Sequence, residues 1–277
     1  MPKLPSSRVA LSFESSLLST FLKGSSFAAL PLSTKDVDIP YFVQKKIGNH
    51  YLLLMAEGGS DYNHAVTALT AKSLWGPYVP CTVNPVLTHR HLGKDYPVQS
   101  LGHADLVQTP TGDWYAVFLG KRIVEGGLVP LGRETFLCEV SFQNGEPIFN
   151  PGIGVIGNRL KRPLLPWTPV SKTDKQNDFE SSALSPEWAT MRIPEQPLHH
   201  FADGNLFLSL RPEMADSLVC PSMLLHRVHS HNFSAITTMT FSTCQANEWA
   251  GLVLYRTAKG YYSLLKGKNE IRLTIDK

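Results

Sequence analysis

The chain has 277 residues, 43% of them hydrophobic, which is enough to bury the core of one large or two ordinary domains. Its 26 Lys and Arg stand against 23 Asp and Glu, a formal charge of +3, and no basic run interleaves with aromatics. Neither nucleic acid nor a membrane is therefore an expected partner: the charge gives no field for an anionic polymer, and no stretch approaches the ~20 apolar residues of a membrane span.

The N-terminal "MPKLPSSRVALSFESSLLSTFLKG" carries an early Lys and Arg, but Glu14 and several serines interrupt its apolar run. It makes a poor signal peptide, and the compartment is left undetermined. Next comes Gly48-Asn49-His50-Tyr51-Leu52-Leu53-Leu54, and 64 residues later Gly112-Asp113-Trp114-Tyr115-Ala116-Val117-Phe118. Each is a turn glycine, two polar or aromatic residues, a Tyr and an apolar run. Strand-like runs precede them (Tyr41 to Gln44; Leu106 to Thr109) and follow them (Ala65 to Leu69; Thr135 to Val140). Hairpins recurring at a long fixed period are the mark of a β-propeller built from four-stranded blades. With 20 Gly and 20 Pro the chain is broken too often for long helices.

Residues 150–178, "NPGIGVIGNRLKRPLLPWTPVSKTDKQND", are rich in Pro, Gly and charge and read as an edge segment followed by a linker. Short alternating runs follow: Leu206 to Leu210, Ala235 to Phe241, Ala250 to Tyr255, Gly260 to Leu265 and Ile271 to Ile275. Turn residues separate them at sandwich-like intervals, so a second all-β domain is expected. The four cysteines, Cys81, Cys138, Cys220 and Cys244, form no C-x-x-C pair, and reduced thiols are the default.

Three places carry groups capable of chemistry. Glu57 ends an apolar run at Gly58-Gly59, where the backbone can turn sharply and a ligand can come close; it either faces a pocket or caps a turn. In Gly102-His103-Ala104-Asp105 an imidazole and a carboxylate stand two residues apart at the head of an apolar strand. His103 is either satisfied by a backbone carbonyl or used as a ligand, and Asp105 reads as structural. Arg133 and Glu134 open a strand, either as a surface ion pair or with the Arg fork gripping hydroxyls or a carboxylate. The sequence contains no G-x-S-x-G, H-E-x-x-H or P-loop.

Taken together, "HYLLLMAEGGSDYNHAVT", "GHADLVQTPTGDWYAVFLGKR" and "PLGRETF" resemble glycoside hydrolase family 43, the β-xylosidases and α-L-arabinofuranosidases. "DFESSALSPEWATMR", "LLHRVHSHNFSAITTMTF" and "EWAGLVLYRTAKGYYSLLKG" are similar to the concanavalin-like β-sandwich that follows the propeller in many members. The resemblance implies an all-β chain: part of a five-bladed propeller over residues 37–165, a linker at 166–178 and a partial sandwich over 179–277, with residues 1–36 unlike a blade. It implies inverting hydrolysis of a terminal xylose or arabinofuranose from an oligosaccharide, for which acid and base stand ~6.5–9.5 Å apart.

On this likeness the general-acid position falls on Asp38, where the family has Glu. The position that tunes the acid falls on Glu14, and residues 1–37 hold nothing like the motif of the general base. The other expectations are a fragment or degenerate relative of such an enzyme, either a sugar-binding remnant without catalysis or a fragment with no activity. By the same resemblance Arg133, His103 and Glu57 lie at the substrate pocket. No cofactor is required, and His103 is compatible with a calcium ion on the propeller axis, held through water.

Overall fold

The computed structural model describes residues 42–169, 177–181 and 183–276. Asp38 and Glu14 lie outside the described residues. The chain divides into two compact units, with the boundary in sequence between Pro166 and Trp167.

The first unit contains two antiparallel sheets. In one, β1 (Phe42–Ile47), β2 (His50–Glu57), β3 (Ala65–Ala71) and β4 (Val79–Pro80) follow in order, with β5 (Leu87–Thr88) also on β3. In the other, β6 (Val98–Gln108), β7 (Trp114–Arg122), β8 (Glu134–Gln143) and β9 (Glu146–Phe149) form a meander. The two glycine turns anticipated at the 64-residue spacing are the tips of the β1–β2 and β6–β7 hairpins. Gly48 and Gly112 have φ of +56° and +94°, a region that glycine alone enters without steric cost.

The apolar run Leu52-Leu53-Leu54 in β2 does not alternate because both faces of the strand are covered. Leu52 and Leu54 join Val66, Leu101, Leu106, Phe118 and Val140 in a core between the sheets, while Leu53 packs with Leu69 and Tyr78 on the opposite face. Burying each such leucine is worth about 2 kcal/mol relative to leaving it in water. A polar tie joins the same sheets, since the Glu146 carboxylate accepts from the Thr82 amide (3.0 Å) and hydroxyl (3.0 Å).

One expectation is corrected here. The Gly102–Asp105 segment is not at the head of a strand but inside β6, which runs eleven residues. β6 pairs with β7 through Gln99↔Lys121, Gly102↔Leu119 and Asp105↔Val117, so three residues oppose two on each side of Gly102. Each step inserts one extra residue, a β-bulge, and each contains a non-glycine residue in the left-handed region, Ser100 (φ +58°) and His103 (φ +57°). The two bulges allow Leu101, Ala104 and Leu106 to be buried together although strict alternation would split them between faces.

In the second unit β10 (Trp188–Thr190) pairs with β13 (Leu224–His226), β11 (His199–Ala202) with β12 (Asn205–Leu208), and β14 (Ala250–Thr257), β15 (Gly260–Lys266) and β16 (Ile271–Asp276) form a three-stranded sheet. The runs expected from Ala250, Gly260 and Ile271 are therefore strands, and the run from Leu206 falls in β12. The run Ala235 to Phe241 is not a strand: it pairs with none among the described residues, and Ile236 is 94% exposed. Alternation favours an extended backbone, but a ladder also needs a neighbour offering its own amides and carbonyls. All four cysteines are free thiols.

Candidate functional site

β2 ends at Glu57, and the chain then reverses through Gly58 (φ +76°) and Gly59 (φ +66°). The reversal is tight: a Cβ on Gly58 would stand 2.2 Å from the Asn63 carbonyl oxygen. Closing it, the His64 amide donates to the Asp61 carbonyl (2.9 Å), and β3 begins at Ala65. This turn meets the bulged stretch of β6 and the start of β8. Arg133 donates to the Ser60 hydroxyl (3.1 Å), Lys121 pairs with Asp61 (3.7 Å), and His64 lies under Gly102.

Arg133 does not pair with its neighbour Glu134. The Glu134 carboxylate is held bidentately by Arg122, with Nε at 2.9 Å and Nη2 at 2.6 Å, so the Arg133 guanidinium reaches across to the glycine turn instead. His103 is exposed and close enough to Arg133 to feel its charge; desolvation first and Arg133 second hold its pKa below the usual imidazole range. Glu57 pairs with Arg90 (3.3 Å), whose carbonyl accepts from the Tyr62 hydroxyl (2.5 Å). Asp105 accepts from the Leu106 amide (2.7 Å) and pairs with Lys45 (3.5 Å), a structural role as read from the sequence. Arg133 and His103 thus come together beside the glycine turn, while Glu57 is engaged in an ion pair of its own. Asp38 and Glu14, outside the described residues, join no part of this geometry.

Two histidines that the sequence reading passed over are buried here. His64 (4% exposed) donates Nδ1–H to the Ser100 carbonyl (3.0 Å), and burial lowers its pKa, with His103, Arg133 and Lys121 adding to the shift. His89 (1% exposed) donates Nδ1–H to the Val98 carbonyl (2.6 Å) and accepts the Ile156 amide at Nε2 (3.0 Å). That pair of bonds fixes one neutral tautomer, and burial again lowers the pKa. A glycine inside the β6 strand was the available signal for His64, because such a glycine marks a close approach by another group.

Calcium takes six to eight oxygen ligands. The charged neighbour that acts on His103 is the cation Arg133, and the described residues hold no group of three or more His, Cys, Asp or Glu able to bind a metal. This set does not fit a calcium ion.

Residues 33–147 match the model of glycosyl hydrolases family 43, and residues 176–275 match that of the β-xylosidase C-terminal concanavalin A-like domain. The chain belongs to glycosyl hydrolase family 43. It is 36% identical over 259 residues to a xylosidase/arabinosidase of Butyrivibrio fibrisolvens, covering 91% of this chain and 50% of the relative. It is 35% identical over 249 residues to a non-reducing end α-L-arabinofuranosidase of Bacteroides ovatus, covering 89% and 46%. Among solved structures it resembles the Bacteroides ovatus xyloglucan PUL GH43B protein (TM-score 0.71, 34% identity, 85% of this chain and 47% of that one). It also resembles a xylan β-1,4-xylosidase from Bacillus halodurans C-125 (TM-score 0.73, 27% identity, 86% and 47%). The chain spans about half the length of these relatives. The two sheets of the first unit are accordingly part of the family's propeller, and the second unit is its concanavalin-like domain.

Proposed function

We propose that this chain recognises a terminal pentose, xylose or arabinofuranose, at the end of a plant-polysaccharide oligosaccharide. Arg133 and His103 hold the sugar beside the Gly58-Gly59 turn, and Glu57 supports that edge through Arg90. The observation that carries this reading is the division of labour between neighbours: Arg122 takes up Glu134, so the Arg133 fork stands at the mouth of the glycine turn. A rigid guanidinium presents donors in the geometry that vicinal hydroxyls accept.

Hydrolysis by inversion requires a protonated acid on the leaving oxygen and a base on water at ~6.5–9.5 Å separation. In this reading Asp38 is the acid and Glu14 tunes it. Asp is one methylene shorter than the family's Glu, and proton transfer to a fixed oxygen is sensitive to about 1 Å. The carboxylates of the described turn favour sugar binding without hydrolysis as the second reading, since Glu57 and Asp61 are each in an ion pair, with Arg90 and Lys121.

Release of p-nitrophenol from the aryl β-D-xyloside and aryl α-L-arabinofuranoside separates the two readings. Turnover abolished by Asp38→Asn supports hydrolysis. No turnover, together with a melting temperature raised by xylose or arabinose, supports binding alone. If neither turnover nor a raised melting temperature is observed, the pentose reading is overturned.

A further inference from the structure

We propose that His64 is a positioning residue, whose buried imidazole holds the double bulge of β6 so that His103 is presented beside Arg133. The inference rests on the pentose reading for its consequence in binding, but not for its geometry.

The bulge needs an external support. Ser100 and His103 both adopt left-handed backbone conformations, which are strained for non-glycine residues and persist only where their surroundings determine them. His64 touches this stretch twice. Its Nδ1–H is donated to the carbonyl of Ser100, the first residue in question. The Nε2 edge of its ring lies where a Gly102 side chain would be: a Cβ there would stand 2.2 Å from Nε2 and 2.4 Å from both Cδ2 and Cε1. Gly102 is the residue between the two bulges, so the ring is wedged at their centre.

His64 is itself well anchored. Its amide donates to the Asp61 carbonyl (2.9 Å) and its carbonyl accepts from the Thr88 hydroxyl (3.1 Å). It closes the same turn that carries Ser60, the partner of Arg133. One side chain therefore couples the turn that meets Arg133 to the bulge that carries His103. Removing it frees Ser100 and Gly102 to return to regular pairing, and a one-residue change of register would turn His103 to the other face of the sheet.

The test compares the full chain with His64→Leu, which fills the space without a donor, and His64→Asn, whose amide can donate in place of Nδ1–H. D-xylose and L-arabinose affinities are measured by calorimetry, and deuterium exchange is followed at the amides of residues 100–105. The proposal expects His64→Leu to weaken pentose binding by about tenfold, the scale of one lost well-placed contact. It also expects faster exchange confined to 100–105, with both effects largely reversed in His64→Asn. A purely stabilising role would instead speed exchange across the whole unit in both variants and leave the affinity of the folded fraction unchanged; that result overturns the proposal. If the wild-type chain binds neither pentose, the pentose reading fails, and exchange alone decides: a local, Asn-reversible increase supports the positioning role and unchanged exchange at 100–105 refutes it.

Discussion

Gly102→Ala is the sharpest perturbation available in the first unit, because the backbone there is not left-handed and the leading effect is steric. The new methyl would meet three atoms of the His64 ring at 2.2–2.4 Å, well inside contact distance. The ring cannot step aside cheaply, since it is 4% exposed and holds the Ser100 carbonyl through Nδ1–H. Overpacking a filled site costs about 1–3 kcal/mol. If the ring swings away to relieve it, the lost hydrogen bond adds about 1 kcal/mol. Against this, alanine loses less backbone freedom on folding, a gain of about 0.4–1 kcal/mol. The net is a destabilisation of about 2 kcal/mol, or roughly 5–10 °C in Tm for a unit of this size. Urea titration followed by tryptophan fluorescence, with melting by circular dichroism, reads it directly. In the background of His64→Ala the same substitution should cost less, by about 1 kcal/mol of coupling. A Gly102→Ala chain as stable as the wild type, or additive effects in the double variant, refutes the close approach of these two residues.

Burial holds the thiols of Cys81 and Cys138 up to about 12, with Glu146 adding to the first and Glu139 to the second. A thiol reagent at pH 8 should therefore label the exposed Cys244 and the partly exposed Cys220 in the native chain, and reach all four only after denaturation; rapid native labelling of four thiols contradicts this. His64, His89 and His103 all have pKa values lowered from 6.5 by folding. Above that value both states are neutral and pH has no leverage through them. As pH falls through 6.5 the unfolded chain takes up protons that the folded chain refuses, so stability is lost on acidification. Melting temperature should drop between pH 7.5 and 5.5, and a flat or rising profile would show that these groups are not held neutral. In the second unit, Gly251→Ala would place a Cβ 2.1 Å from the Leu264 carbonyl oxygen, a backbone atom. Loss of protection from exchange along β14 and β15 is expected, and an unchanged pattern there contradicts the close pairing.

The hairpins around Gly48 and Gly112 were legible in the sequence because turn glycines and the runs beside them are local signals. The family resemblance put Arg133, His103 and Glu57 at one substrate pocket, whereas the bond from Arg133 to Ser60, which ties it to the turn after Glu57, is seen only in the fold. The double bulge was not legible. It is defined by pairing with β7, and a reader of residues 98–108 alone sees only a strand with an unexpected His. His64 was missed for the same reason: a glycine inside β6 signals a close approach, but the group that approaches Gly102 is 38 positions away and the signal does not name it. The run Ala235 to Phe241 erred in the opposite direction, with a good local pattern and no strand partner among the described residues to complete it. Local chemistry predicts turns and extended preference; close approaches and ladders depend on what the rest of the chain brings alongside.

A crystal structure of the chain soaked with D-xylose or L-arabinose tests the central claim most directly. The account expects the sugar beside the Gly58-Gly59 turn, with its hydroxyls within hydrogen-bonding distance of the Arg133 guanidinium and close to His103, and no sugar there in Arg133→Ala crystals. A pentose bound elsewhere, or one bound equally well at this turn without the guanidinium, would contradict it.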